Sequence, residues 1–300
     1  MTEAIARPPA EDESELPPLR PPSAGNGLIG VFERRYLLKL LVQREISARY
    51  QGSFLGLLWS YINPLSQFFI YWFVIGVILG QHRGVPNFPI HLFAALIIVH
   101  FFTETFGAGT RSIARNRGLV AKMAMPREMF PVATMLVSLY HVLPQVVILA
   151  GASALLGWRP DAEGMVALVL ALAIIATLGT AGALMFSAAN VFFTDFGNAV
   201  SIFNNFVRFG VTMMYPYSMV HEKFGGAAQY FLLNPIADAV LLFQRAFWTG
   251  TLTERQQAKA GLMPDHLMLV GCVALAGSLV LLAISQLVFS RLENKIPERL

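Results

Sequence analysis

The chain has 300 residues, 55% of them hydrophobic and only 13% charged, with a formal net charge of +4. Soluble domains carry roughly 25% charged residues, so the composition excludes an ordinary pair of soluble domains. The basic residues are dealt out between long apolar runs, which also argues against a nucleic-acid-binding patch as the source of the positive charge.

Residues 1–30 differ in kind from the rest. They hold Pro8, Pro9, Pro17, Pro18, Pro21 and Pro22 with the acidic run Glu11, Asp12, Glu13 and Glu15. No apolar stretch of signal-peptide length occurs there, so a disordered, acidic, Pro-rich tail is expected. The next segment, 31–50, mixes Arg34, Arg35, Lys39, Arg44 and Arg49 with apolar residues in helix-forming composition. It is expected to lie at the membrane interface, with its basic side chains reaching towards headgroups.

Uncharged stretches then follow at Tyr50–Gln81, Gly84–Thr103, Met129–Trp158, Gly164–Thr194 and His266–Ser290, and Phe196–His221 is interrupted only by Arg208. Each is long enough to cross about 30 Å of hydrocarbon at about 1.5 Å per residue. The fold class expected is an all-α integral membrane protein with six transmembrane helices, at 57–80, 88–107, 131–156, 165–191, 198–219 and 267–289. The domain itself runs over 31–290, and 291–300 form a short tail.

Orientation follows from the basic residues, which keep short loops cytoplasmic. The segment before the first span, the loop with Arg111, Arg115, Arg117, Lys122 and Arg127, and the tail with Arg291, Lys295 and Arg299 are basic. The loops 81–87 and 157–163 hold one arginine each. Both termini are therefore expected in the cytoplasm. The longest external piece, 220–265, carries an apolar patch from Tyr230 to Phe243 that Asn234-Pro235 interrupts. A pair of short helices that enter and leave one leaflet is the favoured expectation, and a helical cap lying on the outer surface is the alternative.

No G-x-x-x-x-G-K-[ST] run is present, so no phosphate cradle is expected, and no cofactor. The histidines are scattered, none at metal-ligand spacing, so no metal is expected. His82, His91, His221 and His266 are expected near the external interface, and His100 and His141 in helix–helix hydrogen bonds. Cys272 reads as a packing residue, and no catalytic residue is identified.

Two polar stripes carry the functional signal. Ser60, Asn63, Gln67 and Tyr71 recur at helical spacing in the first span, and Ser201, Asn205, Arg208, Thr212 and Tyr215 do so in the fifth, with Asn204 at the edge. A central arginine costs about 2.5–3.5 kcal/mol on insertion scales, so Arg208 is expected to face a partner or a wet cavity. The stripes are read as lining a polar conduit, against the alternative of interhelical hydrogen bonding in a tight bundle. Aromatics crowd the first span, and most are read as packing or interfacial belt.

Three ordered motifs then resemble a known family. Arg44-Glu45-Ile46, Arg49-Tyr50, Ser53, Leu55-Gly56, Leu58-Trp59 and Pro64 form the first; Asn116, Gly118-Leu119-Val120, Lys122, Pro126-Arg127-Glu128 and Pro131 the second. Tyr215-Pro216, Ser218-Met219-Val220, Asn234-Pro235, Phe243 and Gly250 form the third. Together they are similar to ABC-2 type permeases that export polysaccharides, the galactan exporters of mycobacteria among them. His221 and Thr194-Asp195 stand where many relatives have proline and Arg-Asp.

The resemblance implies a homodimer with two separate ABC ATPase subunits that bind ATP and Mg, a polyprenyl-diphosphate-linked glycan as cargo, and a bacterial plasma-membrane location. It implies ATPase coupling through Arg115, Arg117, Lys122, Pro126, Arg127, Glu128 and Asp195, and an external gate at Asn234, Pro235 and Phe243. An exporter of lipid or drug is the first alternative. A membrane-embedded transferase would need paired acid/base groups, and a passive channel would work without an ATPase.

Overall fold

The computed structural model describes residues 27–123, 125–253, 256, 263–293 and 295–296. Most of the acidic N-terminal tail, the end of the C-terminal tail and part of the external stretch before residue 263 lie outside the described residues. Within them the regular elements are helical. Five helices are long and apolar enough to cross a membrane.

Two short helices open the structure, α1 (Gly27–Glu33) and α2 (Arg35–Tyr50). Ile29, Phe32, Tyr36 and Leu40 form an exposed apolar stripe along them, as an interfacial helix requires. Helix α3 (Trp59–Tyr71) starts the first span and widens into a π-helical stretch over Trp72–Ile78. Helix α4 (Phe88–Thr110) follows, then two short helices, α5 (Ser112–Arg115) and α6 (Arg117–Lys122), then α7 (Met129–Leu155) and α8 (Ala162–Phe192). Helix α12 (Leu267–Glu293) is the last span and leaves Leu269, Val273, Val280 and Leu287 exposed.

The centre of the bundle is α4, which packs on α7, α8 and the helix after residue 234. Its sequence has no polar face along Phe88–Phe102, so it can be surrounded on every side. Small residues let its backbone approach α8. A Cβ on Gly109 would stand 2.5 Å from the Ala183 Cβ, and one on Gly179 would stand 2.9 Å from Thr105 Cγ2. Close backbone approach through small residues is how helices associate when lipid supplies no hydrophobic drive.

The fifth span departs from the sequence expectation of one helix over 198–219. Helix α9 (Asp195–Phe209) has 15 residues, or about 22 Å at 1.5 Å per residue, too short to cross alone. It ends at Gly210, and the Tyr215 hydroxyl donates to the Phe209 carbonyl at 3.0 Å inside the break. Pro216 then starts α10 (Tyr217–Phe224). Apolar residues continue through the break, so composition alone does not reveal it.

After α10 a 3-10 stretch, Gly225–Leu233, leads to Asn234 and α11 (Pro235–Phe247), and the two arms meet at 103°. Asn234 caps α11 by accepting from Ile236 N at 3.1 Å, while its Nδ2 donates to the Gly210 carbonyl at 3.2 Å. That second bond sets the bend beside the break after α9. From there α11 runs to Trp248, whose indole donates to the Pro86 carbonyl at 2.7 Å. Helix α11 is buried against α4, α8 and α12. Helix α11 is thus buried along nearly its whole length, whereas residues 221–227 before it are exposed.

Candidate functional site: two polar cavities

The basic loop, α2 and the end of α12 meet at one end of the bundle. Glu45 accepts from Arg115 at 2.5 Å and from Asn116 Nδ2 at 3.0 Å, and Arg44 donates to Asn116 Oδ1 at 2.9 Å. Arg127 donates to the Glu293 carbonyl, and Gln286 Nε2 donates to Glu128 at 2.9 Å. Apolar contacts among Leu38, Leu41, Ile113, Met129, Phe130 and Phe289 seal this junction.

Just inside it lies a cavity of about 920 Å³ between α2, α4, α7 and α9. Its walls hold the arginines Arg44, Arg49, Arg111, Arg115 and Arg208 against the two carboxylates Glu45 and Glu104, an excess of three positive charges. Both carboxylates are engaged, Glu45 as above and Glu104 with Arg49. Arg111 is fixed by donating to the Gly197 carbonyl at 2.8 Å and to Ser201 Oγ at 2.6 Å. Arg208 lines the cavity and has no ion-pair or hydrogen-bond partner among the described residues. A side chain placed this way must be hydrated or ligand-bound.

A second cavity, of about 590 Å³, lies between α3, α4 and α7. Its lining includes Ser60, Asn63 and Gln67, three of the four residues of the first stripe. Tyr71 instead packs against the apolar core. The fifth-span stripe is likewise divided. Ser201, Asn204, Asn205 and Arg208 line the larger cavity, whereas Thr212 is fully buried, its carbonyl accepting from Gln244 at 2.8 Å, and Tyr215 closes the break. Helical spacing places five residues on one face only while the helix continues, and this one stops at Gly210.

The residues expected to couple to an ATPase fall into two groups. Arg117 and Lys122 are exposed on α6, and Asp195 is exposed in the first turn of α9. Arg115 is held by Glu45, Glu128 is 1% exposed, and Pro126 and Arg127 are half-buried. Arg127 and Glu128 therefore tie the loop to α12 and are not a free docking face. Of the expected gate residues, Asn234 and Pro235 form the bend, while Phe243 is fully buried 5.1 Å from the Phe247 ring.

Sequence reasoning missed the Arg49–Glu104 pair; His141 makes the helix–helix hydrogen bond expected of it, with the Tyr50 hydroxyl, whereas His100 lines the cavity with no side-chain hydrogen-bond partner among the described residues. His100 and Glu104 share one face of α4 by spacing, but the partner of Glu104 lies 55 residues away in α2. His91 also differs from expectation. It is fully buried, its ring 6.1 Å from Phe88 and 4.6 Å from Trp248, with no hydrogen-bond partner on either nitrogen. At the opposite end of the bundle, Arg245 grips Asp161 with two bonds of 3.1 and 2.6 Å. Those bonds hold the Asp161 carboxyl below its ordinary range.

Residues 36–248 match the family described as ABC-2 type transporter. The chain is 28% identical over 230 residues to the O-antigen export system permease protein RfbA of Myxococcus xanthus, spanning 77% of this chain and 87% of that protein. A Klebsiella pneumoniae protein of the same name is 26% identical over 218 residues, spanning 72% of this chain and 82% of that protein.

Proposed function

The chain belongs to the ABC-2 type transporter family, and from that membership we propose that it is the membrane-spanning permease subunit of an ATP-driven exporter moving a polyprenyl-diphosphate-linked polysaccharide out of the cytoplasm. The polysaccharide class comes from its relatives, which are named as O-antigen export permeases. The observation that carries the reading is the larger cavity, with its amide and hydroxyl side chains and unpartnered Arg208. Hydroxyl-rich sugar exchanges its hydrogen bonds with water for bonds to such groups, and a guanidinium suits a diphosphate. A dry, apolar cavity would have suited a lipid or drug instead.

Energy comes from two ABC ATPase subunits, which bind ATP and Mg; this chain is the transport subunit and performs no catalysis. The exposed face of α6, with Arg117 and Lys122, docks the ATPase, and Asp195 supports the same contact. Loop movement reaches the spans because Arg127 and Glu128 fasten it to α12 and Arg115 fastens it to α2. The permease works as a homodimer, in which the α3 and α9 faces of two copies enclose a shared path. The bent segment around Asn234 and Pro235 controls the exit. The protein sits in the bacterial plasma membrane with both termini in the cytoplasm.

Expression with an ABC ATPase encoded beside it tests this reading. The proposal expects a stable complex of two permeases and two ATPases, with ATP-dependent uptake of a lipid-linked glycan into inside-out vesicles. O-antigen-type and galactan intermediates are the cargoes to try. Failure to assemble with any ABC ATPase, or transport without ATP, would refute it.

A further inference from the structure

The last turn of α2 does more than anchor the helix. Arg49 pairs with Glu104 on α4, and the Tyr50 hydroxyl hydrogen-bonds to Ser60 on α3 and to His141 Nε2 on α7 at 3.1 Å. Two consecutive residues thus reach three different spans. The two cavities have four wall residues in common, Arg49, His100, Glu104 and Ser138. The ion pair therefore stands between the cavity that holds Arg208 and the cavity that holds Ser60, Asn63 and Gln67.

The same helix touches the basic loop about one turn earlier. Glu45 and Arg44 hold Arg115 and Asn116, the two residues immediately before α6. One rigid helix thus connects the loop to the partition. A pull on α6 would therefore reach Arg49 along α2.

We infer that the Arg49–Glu104 pair is a latch on the transport path: closed, it separates the two polar cavities, and withdrawal of α2 joins them into one continuous hydrophilic passage. The chemistry suits a switch. The side chains retain 41% and 24% of their exposure, so water competes for both charges and the pair contributes little net stability. Both partners stay solvated when the cavities merge, because each already faces polar lining. A structural ion pair in a dry interior would instead resist opening. The inference rests on the transport reading for its purpose, but the partition can be tested without any export.

The test is cysteine accessibility in the full-length chain, reconstituted in liposomes with Cys272, the single cysteine, replaced by serine. A reporter cysteine at Gln67 samples the smaller cavity, and one at Ser201 samples the larger. A membrane-impermeant thiosulfonate is applied from the side of the basic loop. Glu104→Ala and Arg49→Ala should each speed labelling at 67 by about threefold to fivefold. The swap Arg49→Glu with Glu104→Arg should return it towards the original rate, and the rate at 201 should stay unchanged throughout. Should the alanine variants not fold, Glu104→Gln, which keeps shape and loses charge, reads the same change. Equal labelling at 67 in all variants overturns the latch, and so does faster labelling at both positions, which would mean general loosening. Absence of ATP-dependent glycan export by the unmutated complex, with the labelling changes as expected, would count against the transport reading alone.

Discussion

Helices α3 and α4 are neighbours in sequence and both are apolar enough to span a membrane, yet the structure treats them oppositely. The span containing α3 is 11% buried within the subunit, and α4 is 83% buried. The difference lies in what interrupts their apolar runs. Along Phe88–Phe102, α4 has no polar side chain other than its two histidines, and it is packed from all sides. Helix α3 carries Ser60, Asn63 and Gln67 on one face and leaves Phe69 bare on the other, as the π-helical stretch after it leaves Phe73 and Val77. Hydropathy says that both helices belong in a membrane; the polar stripe marks the face of α3 that lines a cavity where α4 meets packed neighbours.

Substitutions should expose that contrast. Ile97→Ala at the fully buried centre of α4 should cost about 2–5 kcal/mol, read as a lowered melting temperature in detergent. Ile78→Ala on the exposed end of the first span should stay within about 0.5 kcal/mol. Comparable losses at both sites would mean that α3 is packed in the isolated subunit after all.

The basic loop offers a second contrast, of function against stability. Arg127→Glu should destabilise the protein by about 3 kcal/mol, because it sets two carboxylates against each other where Arg127 now meets Glu293. Reversing Arg117 and Lys122 together should leave insertion and melting unchanged while uncoupling ATP hydrolysis from transport. Normal transport by that double variant would remove α6 from the docking surface.

The smallest effect is expected at the opposite end. Burial opposes the charge on Asp161, but the bonds from Arg245 outweigh it, so its folded pKa lies below the ordinary aspartate value. A depressed carboxylate stabilises the fold fully above its unfolded pKa, and that contribution fades as pH falls through the lowered folded value. Asp161→Asn should therefore flatten the acid limb of the stability profile slightly, an effect visible in melting curves below about pH 4. An unchanged acid limb would show that the Arg245 contact contributes nothing at the α8–α11 junction.

How much of this was legible depends on range. The spans at α3, α4, α7, α8 and α12 could be read because a charge-free run of the right length has few other fates. The turn at Asn234-Pro235 could be read because proline cannot continue a helix and asparagine caps one. The interruption at Gly210 could not, since one glycine among apolar residues does not end a hydropathy run. Its consequence was that Thr212 and Tyr215 seemed continuous with Arg208. Nor could sequence reveal that Arg127 and Glu128 face α12, 158 or more residues away, or that Arg49 meets Glu104. Local patterns report periodicity, and these pairs are made only by the packing of distant helices.

If the polar face of α9 lines the transport path, Arg208 is the side chain whose loss should stop the cargo. The measurement is ATP-dependent glycan uptake by the assembled complex carrying Arg208→Leu, with melting temperature and ATP hydrolysis recorded on the same preparation. The predicted result is a folded complex that hydrolyses ATP and exports poorly. Near-normal uptake would mean that Arg208 is a hydrated bystander and that the polar face of α9 does not line the path.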